Sequence, residues 1–475
     1  MDLKVFLKET ACVRPSEQSK TVQTIELSGL DRISPAILYT VFFYKSNNLD
    51  TSSSSSSSRS ELDGIERAKQ ALKRVLDYWY PAAGRLRIKE ETGKLEINCN
   101  GEGVTVVTAE TNSKLEELGK LHEYKLCYEK LVPQLPEAGN ISDNPLVVVQ
   151  ITKFGCGGLT IGLGGSHALF DGHGAFNFLA SWAHISSGKD ETDLIIPNHS
   201  REPLLFAAST NNPANLSPNV DFSASIYEQD HIVAIQDLYG IPMQAVASDD
   251  RCWESELAKF SQIQSKGLQL LTLSINKEVV EAWKGLAVQS GKLYKCSTFD
   301  VLCAHVWKAR VKALSLEPNT NICLQFPVDS RNRVQPPLGN NFTGNAFVLG
   351  SVSCVAKDLI EEPLHKTIRK IQAAKEVITD EYIKLYIKAL EFSSDKFFPS
   401  MRELTIITDW FKFPFQALDF GWGSVSSAAL LATPVPEAVF LMPNLEEPGS
   451  FLVRIGIGEQ HLGDFVSSFN SFNHN

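Results

Sequence analysis

An α/β architecture in two halves is what this sequence predicts, and three observations predict it. Segments of strand character alternate irregularly with segments of helical period along most of the chain, which fits layered sheets and helices better than a bundle or a sandwich. At 475 residues the chain is too long for one hydrophobic core and long enough for two large domains. Residues 187–253 are rich in Pro, Asn, Ser and Asp and show no sustained period, so they read as a long crossover between an N-terminal domain (1–186) and a C-terminal domain (254–475).

The elements follow from local pattern. Alternation at Lys4 to Phe6 and Thr24 to Leu27 gives short strands, and Leu27 to Asp31 reads as a turn. Ile37 to Tyr44, aromatic and β-branched, is a strand. The serine tract Thr51 to Ser60 has nothing to bury and is expected to be a disordered loop. From Ser60 a helix is expected, with Ile65, Ala68, Leu72, Val75, Leu76 and Trp79 on one face and Pro81 ending it. Strands follow around Leu95 to Ile97 and at Val104 to Val107, with a weak helix at Leu115 to Leu121.

In the second half, Leu268 to Ile275 is a strand. Asn276 caps a helix with Val279, Val280, Trp283 and Leu286 on one face, and Ser297 with Asp300 forms a capping box ahead of Val301 to Val311. Strands are expected at Ile322 to Val328, Ala346 to Ser353, Leu404 to Thr408, Ala438 to Met442 and Phe451 to Ile457. Pro363 starts one long helix carrying Leu364, Ile368, Ile371 and Ile378, and Leu462, Phe465 and Phe469 mark a closing helix.

Bulk properties narrow the function classes. A formal charge of −10 argues against nonspecific binding to nucleic acid or an anionic membrane, because both need a basic face. No apolar run is as long as a membrane span, and the first residues lack the features of a secretory or transit signal, so a cytoplasmic protein is expected. Nine scattered cysteines without CxxC spacing read as reduced thiols rather than a disulfide framework or zinc site.

Chemistry concentrates at Gly162-Leu163-Gly164-Gly165-Ser166-His167-Ala168-Leu169-Phe170-Asp171-Gly172-His173-Gly174. Two apolar runs, Leu146 to Ile151 and Leu159 to Leu163, precede it and the helical pattern Ala175 to His184 follows, giving strand, tight turn, helix. A histidine at a strand end can be aimed into a cleft, and imidazole suits proton abstraction near neutral pH. His167 is therefore a general-base candidate, the alternative being a histidine held by local hydrogen bonds.

A second motif, Asp419-Phe420-Gly421-Trp422-Gly423, reads on its own as a bent loop locked by its aspartate. Together, His-x-x-x-Asp-Gly at 167–172 and Asp-Phe-Gly-Trp-Gly at 419–423 resemble the two signature motifs of the plant BAHD acyltransferases, which use acyl-CoA donors. Leu27-Ser28-Gly29-Leu30-Asp31, Tyr80 to Arg85, Ser297 to Leu302 and Val328 to Arg333 before Pro336-Pro337 resemble further family segments. The Ser52 to Ser58 run has no counterpart, and Asn340 to Asn345 departs from the more usual Tyr-Phe-Gly-Asn.

The resemblance implies two chloramphenicol-acetyltransferase-like domains, each a mixed sheet with flanking helices, joined by the crossover and separated by a channel. It implies a monomer that takes acyl-CoA as co-substrate and a small-molecule acceptor, without bound cofactor or metal. The catalytic motifs contribute His167, Asp171 and Asp419. His167 is the base; Asp171 is assigned to site geometry through an ion pair for which Arg331 is the match; Asp419 is a loop-fixing residue, with a proton-acceptor role as its alternative. Thr408 and Trp410 match a channel-lining strand and are substrate-binding candidates, the alternative being a strand hydroxyl and a buried aromatic. Gly421, Trp422 and Gly423 are structural, with Trp422 expected to pack into the second half. Lys308, Arg310, Arg333 and Lys412 are possible partners for CoA phosphates or else solvated surface cations.

Acyl transfer from a thioester needs a base, donors for the oxyanion and a proton for the leaving thiolate, but no enzyme nucleophile, so Cys156 and Ser166 are a core thiol and a turn hydroxyl. Three rivals remain. His167, Asp171 and His173 could ligate a metal, though their spacing matches no zinc motif. Gly164 to Ala168 approaches a hydrolase elbow but lacks its last glycine. A non-catalytic binding protein of the same fold is the third, and within the enzyme reading an amine acceptor is the alternative to an alcohol.

Overall fold

The computed structural model describes residues 2–16, 23–33, 36–46, 57–133, 140–209, 243–245, 267–289, 293–392, 397–399, 402–431 and 437–471. The disorder expected at Thr51 to Ser60 falls mainly on residues outside these, as does most of the crossover; from Ser57 onward that tract is already helical.

Two six-stranded mixed sheets organise the chain. The first runs in the order β1 (Phe6–Val13), β6 (Val104–Thr111), β7 (Val147–Phe154), β8 (Leu159–Ser166), β3 (Ile37–Tyr44) and β15 (Ser427–Leu430). The second runs β10 (Leu268–Ile275), β17 (Phe451–Gly458), β16 (Val439–Pro443), β14 (Leu404–Asp409), β11 (Asn321–Asp329) and β12 (Phe347–Val355). Smaller sheets join β2 (Gln23–Glu26), β5 (Leu95–Cys99) and β4 (Arg85–Ile88), and β9 (Met243–Ala245) with β13 (Phe397–Pro399). The α/β class and flanking helices are those expected.

Helices cover one face of each sheet because each carries an apolar stripe. Over the first sheet lie α2 (Ser57–Tyr78) and α3 (Gly172–Ser186), whose Ala68, Leu72, Val75, Phe178 and Leu179 share its core. Trp182 ties the two together by donating Nε1–H to the Ala68 carbonyl at 2.7 Å. Under the second sheet lie α5 (Lys277–Gln289), α6 (Thr298–Ala313), α8 (Leu364–Glu376) and α10 (Glu459–Ser471). The capping box of α6 is present in both directions, with Asp300 N donating to Ser297 Oγ at 3.1 Å and Ser297 N to Asp300 Oδ2 at 2.9 Å.

Several elements differ from the sequence reading. The expected turn at Leu27 to Asp31 holds α1 (Gly29–Arg32), because Ser28 and Asp31 form a second capping box. The single helix expected after Pro363 is two: α8 stops at Glu376, buried Ile378 sits in the turn, and the Thr379 hydroxyl accepts from Tyr382 N at the start of α9 (Asp380–Phe392). On α5, Leu286 is 55% exposed and Ala287 takes the buried position. The short helices α4 (Glu202–Ser209) and α7 (Ala356–Glu361) and strand β4 had no sequence signal.

One long-range feature positions the site. Strand β15 pairs antiparallel with β3, and Phe415, Leu418, Phe420, Val425 and Ala428 join the core of the first sheet, so residues far downstream complete the layer that carries His167. At its centre β8 is glycine-rich because neighbours crowd it: a Cβ on Gly162 would lie 1.9 Å from the Leu131 carbonyl oxygen, and one on Gly164 would lie 2.5 Å from the Tyr39 ring. Gly162→Ala is therefore expected to shift the Leu131 segment and destabilise the protein by about 1–3 kcal/mol, measurable as a lower melting temperature. An unchanged melting temperature would show that this segment yields freely.

Candidate active site

His167 is the first residue beyond β8, and its N–H donates to the Ala36 carbonyl at 2.9 Å, which fixes the strand end against the start of β3. Its own carbonyl accepts from Asn345 Nδ2 at 2.7 Å, and its half-buried ring meets Phe347 edge-on at 6.0 Å. Burial pushes the imidazole below its ordinary pKa; the charges of Asp171 and Asp31 and hydrogen bonding to its own carbonyl and to Asn345 oppose this without cancelling it. The ring is thus neutral near pH 7, the form a base requires.

Asp171 is turned to structure on every side. It caps α3 through Gly174 N at 3.0 Å, accepts Ala346 N at 3.2 Å, and takes both Nη groups of Arg331 at 2.9 Å in a bidentate pair. Burial raises the carboxyl pKa, but Arg331 and the two amides outweigh it and hold the group below the ordinary carboxylate value. Arg331, 1% exposed, also donates to the Phe342 and Gly344 carbonyls at 3.3 and 3.1 Å.

A second buried pair, absent from the sequence reading, braces the same loop. Arg201 Nε donates to Asp31 Oδ2 at 3.2 Å, and its Nη2 donates to the Leu169 carbonyl at 2.9 Å, inside the His167–Asp171 turn. Asp31 Oδ1 in turn accepts both N–H and side-chain amide of Asn345, at 2.9 and 3.0 Å. The Ser28–Asp31 box was the available signal for this carboxylate; Arg201 and Asn345 carried none.

Thr408 and Trp410 come from β14 and the residue after it. Trp410 packs against Phe176 of α3 at 5.8 Å, Phe413 at 5.7 Å and Phe440 at 6.0 Å, which brings the second sheet to the helix that follows His167. Phe413 stacks on Phe176 at 4.3 Å and reaches Gly172, where a Cβ would lie 2.5 Å from its ring. Thr408, half-buried, pairs across the ladder with Phe440.

The Asp419 loop is elsewhere. Asp419 Oδ1 accepts from Gly421 N at 2.8 Å and Gly423 N at 2.9 Å, and both glycines have left-handed backbone, φ 86° and 96°. Trp422 packs on the first half, not the second as expected: its ring lies edge-on to Tyr44 at 5.5 Å and stacks on Phe420 at 5.4 Å, and Gly64 of α2 leaves room for its indole. The reason is that Leu418 and Phe420 enter the first sheet's core and carry the loop with them.

Three of the four cations considered for phosphate are held by partners within the fold. Lys308 caps the end of α7 through the carbonyls of Leu359, Ile360 and Glu362, buried Arg310 donates to Thr405 Oγ1 at 3.0 Å, and Arg333 closes α8 through the Lys375 and Ile378 carbonyls. Lys412 is exposed. Of the metal alternative, Asp171 is committed to Arg331 and His173 Nε2 pairs with the Asn340 carbonyl at 2.9 Å; among the described residues no three His, Cys, Asp or Glu side chains form a metal cluster. Among them, too, no helix is long and apolar enough to cross a membrane.

Residues 3–472 match the model of the Transferase family. The chain belongs to that family, the BAHD acyltransferases. It is similar to Brassinosteroid-related acyltransferase 1 of Arabidopsis thaliana, 36% identical over 94% of this chain and 93% of that one. It is similar also to the Omega-hydroxypalmitate O-feruloyl transferase of Arabidopsis thaliana (30%, covering 98% and 93%) and to Anthranilate N-benzoyltransferase protein 1 of Dianthus caryophyllus (30%, covering 99% and 100%). Its fold matches crystal structures of vinorine synthase, TM-score 0.70 at 20% identity over 98% of each chain, and of F. graminearum TRI101 complexed with Coenzyme A and T-2 mycotoxin, TM-score 0.69 at 14% identity over 93% and 96%. A BAHD family member with these relatives is an enzyme that transfers acyl groups.

Two outcomes follow from the geometry. Asp171→Ala leaves Arg331 buried without its acid and is expected to cost about 3–5 kcal/mol; because the carboxylate pKa is lowered in the fold, that stabilisation is complete at neutral pH and disappears only as pH falls through the lowered value. A fully stable but inactive Asp171→Ala protein would instead make the carboxylate chemical. Trp422→Ala, at a half-buried site, is expected to cost up to about 3 kcal/mol, and Gly421→Val and Gly423→Val to destabilise through their backbone. Full thermal stability with abolished turnover would put the loop on the substrate.

Proposed function

We propose that this enzyme moves the acyl group of a CoA thioester to a hydroxyl group of a plant specialised metabolite, with His167 as general base and no acyl-enzyme. One observation carries the reading: His167 is held at a rigid strand end by its own N–H and carbonyl while desolvation keeps its ring neutral. The imidazole takes the acceptor proton as the oxygen attacks the thioester carbonyl. The tetrahedral oxyanion collapses, the C–S bond breaks, and the imidazolium returns the proton to the CoA thiolate. Thr408 and Trp410 are the candidate donors to the oxyanion or the CoA end, through hydroxyl and indole N–H.

Asp171 and Asp419 act in this scheme through position, the first by orienting the His167 turn and the second by closing its loop. The reading from sequence completes it: a cytoplasmic monomer, acyl-CoA entering as co-substrate and no resident cofactor. Since the relatives named above include an N-benzoyltransferase beside an O-feruloyl transferase, an amine acceptor is the second reading.

Purified protein incubated with a panel of acyl-CoAs and a plant metabolite extract is expected to yield acyl esters by mass; amides in place of esters would establish the second reading. His167→Ala is expected to fold normally and lose roughly 100- to 10,000-fold in turnover, and unchanged turnover would remove the mechanism. A base works deprotonated, so kcat/KM should fall on the acid side. Because the folded pKa is lowered, that limb should inflect below the ordinary imidazole value of about 6.5. An inflection above it would contradict a desolvated base.

A further inference from the structure

Strands β14, β16, β17 and β10 lie side by side, and their registers put Thr408 opposite Phe440, Phe440 opposite Arg454, and Arg454 opposite Thr272. Directly paired residues project to the same face, so these four side chains form one row across the second sheet. The opposite face holds Val439, Leu441, Val453 and Ile455 in the helix-covered core, whereas Phe440, Met442 and Leu452 cluster with Leu430 of the first sheet. The row therefore faces the first half of the molecule. At about 4.8 Å per strand, Arg454 is about 10 Å along the row from Thr408, a span that a small molecule covers.

Arg454 is 2% exposed, yet among the described residues it has no acid in an ion pair such as Arg331 and Arg201 have. Arg331 is paired with Asp171 and Arg201 with Asp31. Arg454 donates Nη2–H to the Leu431 carbonyl at 2.7 Å, lies 5.7 Å from the Phe440 ring and 5.8 Å from the Tyr124 ring, and has no partner for Nε among the described residues. The nearby Tyr124 hydroxyl donates to Glu129 at 2.9 Å, and Glu129 is felt by Arg454 only through space. Burial lowers the guanidinium pKa to about 10, so it is still charged at neutral pH. Beside it, Thr272 Oγ1 is buried and likewise without a partner among the described residues.

We infer that Arg454 and Thr272 form a carboxylate-binding subsite, opening on the same face as Thr408 and selecting substrates that carry an acid group. A carboxylate accepts charge-assisted bonds from Nε–H and a free Nη–H, takes the threonine hydroxyl proton in a hydrogen bond, and neutralises a charge that the fold buries without an acid. The acid can belong to the acyl group of a dicarboxylic acyl-CoA or to the acceptor. Its location rests on the proposed transfer at His167; its binding does not.

The test has a binding arm and two kinetic arms, on wild type, Arg454→Met and Thr272→Val. In the binding arm, glutarate and benzoate are expected to raise the melting temperature of wild type and their methyl esters are not, with the effect lost in Arg454→Met. Kinetically, the kcat/KM ratio is read for succinyl-CoA over butyryl-CoA with an uncharged alcohol, and for a hydroxybenzoic acid over its methyl ester with acetyl-CoA. One ratio should favour the acid in wild type, fall roughly 10- to 100-fold in Arg454→Met and fall several-fold in Thr272→Val; which ratio responds identifies the source. Ligand-free Arg454→Met should melt no lower than wild type, since an unpaired buried charge is removed. Equal ratios and equal shifts in all three proteins, or a large loss of stability in ligand-free Arg454→Met, would overturn the inference. Carboxylate binding intact in a wild type that transfers no acyl group would instead overturn the reading at His167.

Discussion

The carboxylate of Asp171 is the point on which this structure turns. It closes the first turn of α3, grips both arms of Arg331 and accepts the Ala346 amide, so residues before and after the crossover are fixed by one group. Burying such a pair is costly unless further hydrogen bonds support it, and here Nη2 of Arg331 also reaches the Phe342 and Gly344 carbonyls. Phe342 lies between two guanidiniums, 5.3 Å from that of Arg201 and 5.9 Å from that of Arg331. The two ion pairs thus share an aromatic spacer, and the His167 turn is suspended between them. What the arrangement secures is geometry more than net stability.

That suspension shows how an acid four residues from a proposed base would serve it through position, without relaying protons. The Asp171 charge favours the protonated imidazole, but burial of the ring outweighs it and holds the His167 pKa below its ordinary value. The same pairing fixes the turn that carries the ring. Asn345 adds a second constraint by holding the His167 carbonyl from a segment that Asp31 also holds.

Much of this was legible in the sequence, and the failures have physical causes. Strands rich in aromatic and β-branched residues and helices with full stripes, such as Ile37 to Tyr44 and the α2 face, appear where composition and period put them. Ser297 with Asp300 was legible as a capping box because a long helix follows, whereas Ser28 with Asp31 caps only four residues and reads as a turn. Strand β15 carries Ser-Ala-Ala-Leu, too short and too small for a period, and its partner β3 is nearly the whole chain away. Trp422 follows that strand into the first half for the same reason. Lys308, Arg310 and Arg333 look like solvated cations because nothing local announces a carbonyl or hydroxyl partner distant in sequence. The pairing of Asp171 with Arg331 had no period or spacing behind it and came from family resemblance alone.

The two sheets divide the labour unequally. On the first, substitutions near His167 meet main chain at close range, as Gly162 meets the Leu131 carbonyl, or leave a buried charge alone, as at Asp171. On the facing side of the second, Thr408, Phe440, Arg454 and Thr272 project from a ladder held by backbone hydrogen bonds, which do not depend on what those side chains are. Changing a residue of that row alters the chemistry of the face while leaving register and the opposite core untouched. A transferase built so can hold its reaction geometry constant and still acquire a different substrate, because the groups that would read the substrate and the groups that would move the proton hang from separate frameworks, joined through the Asp171 pair.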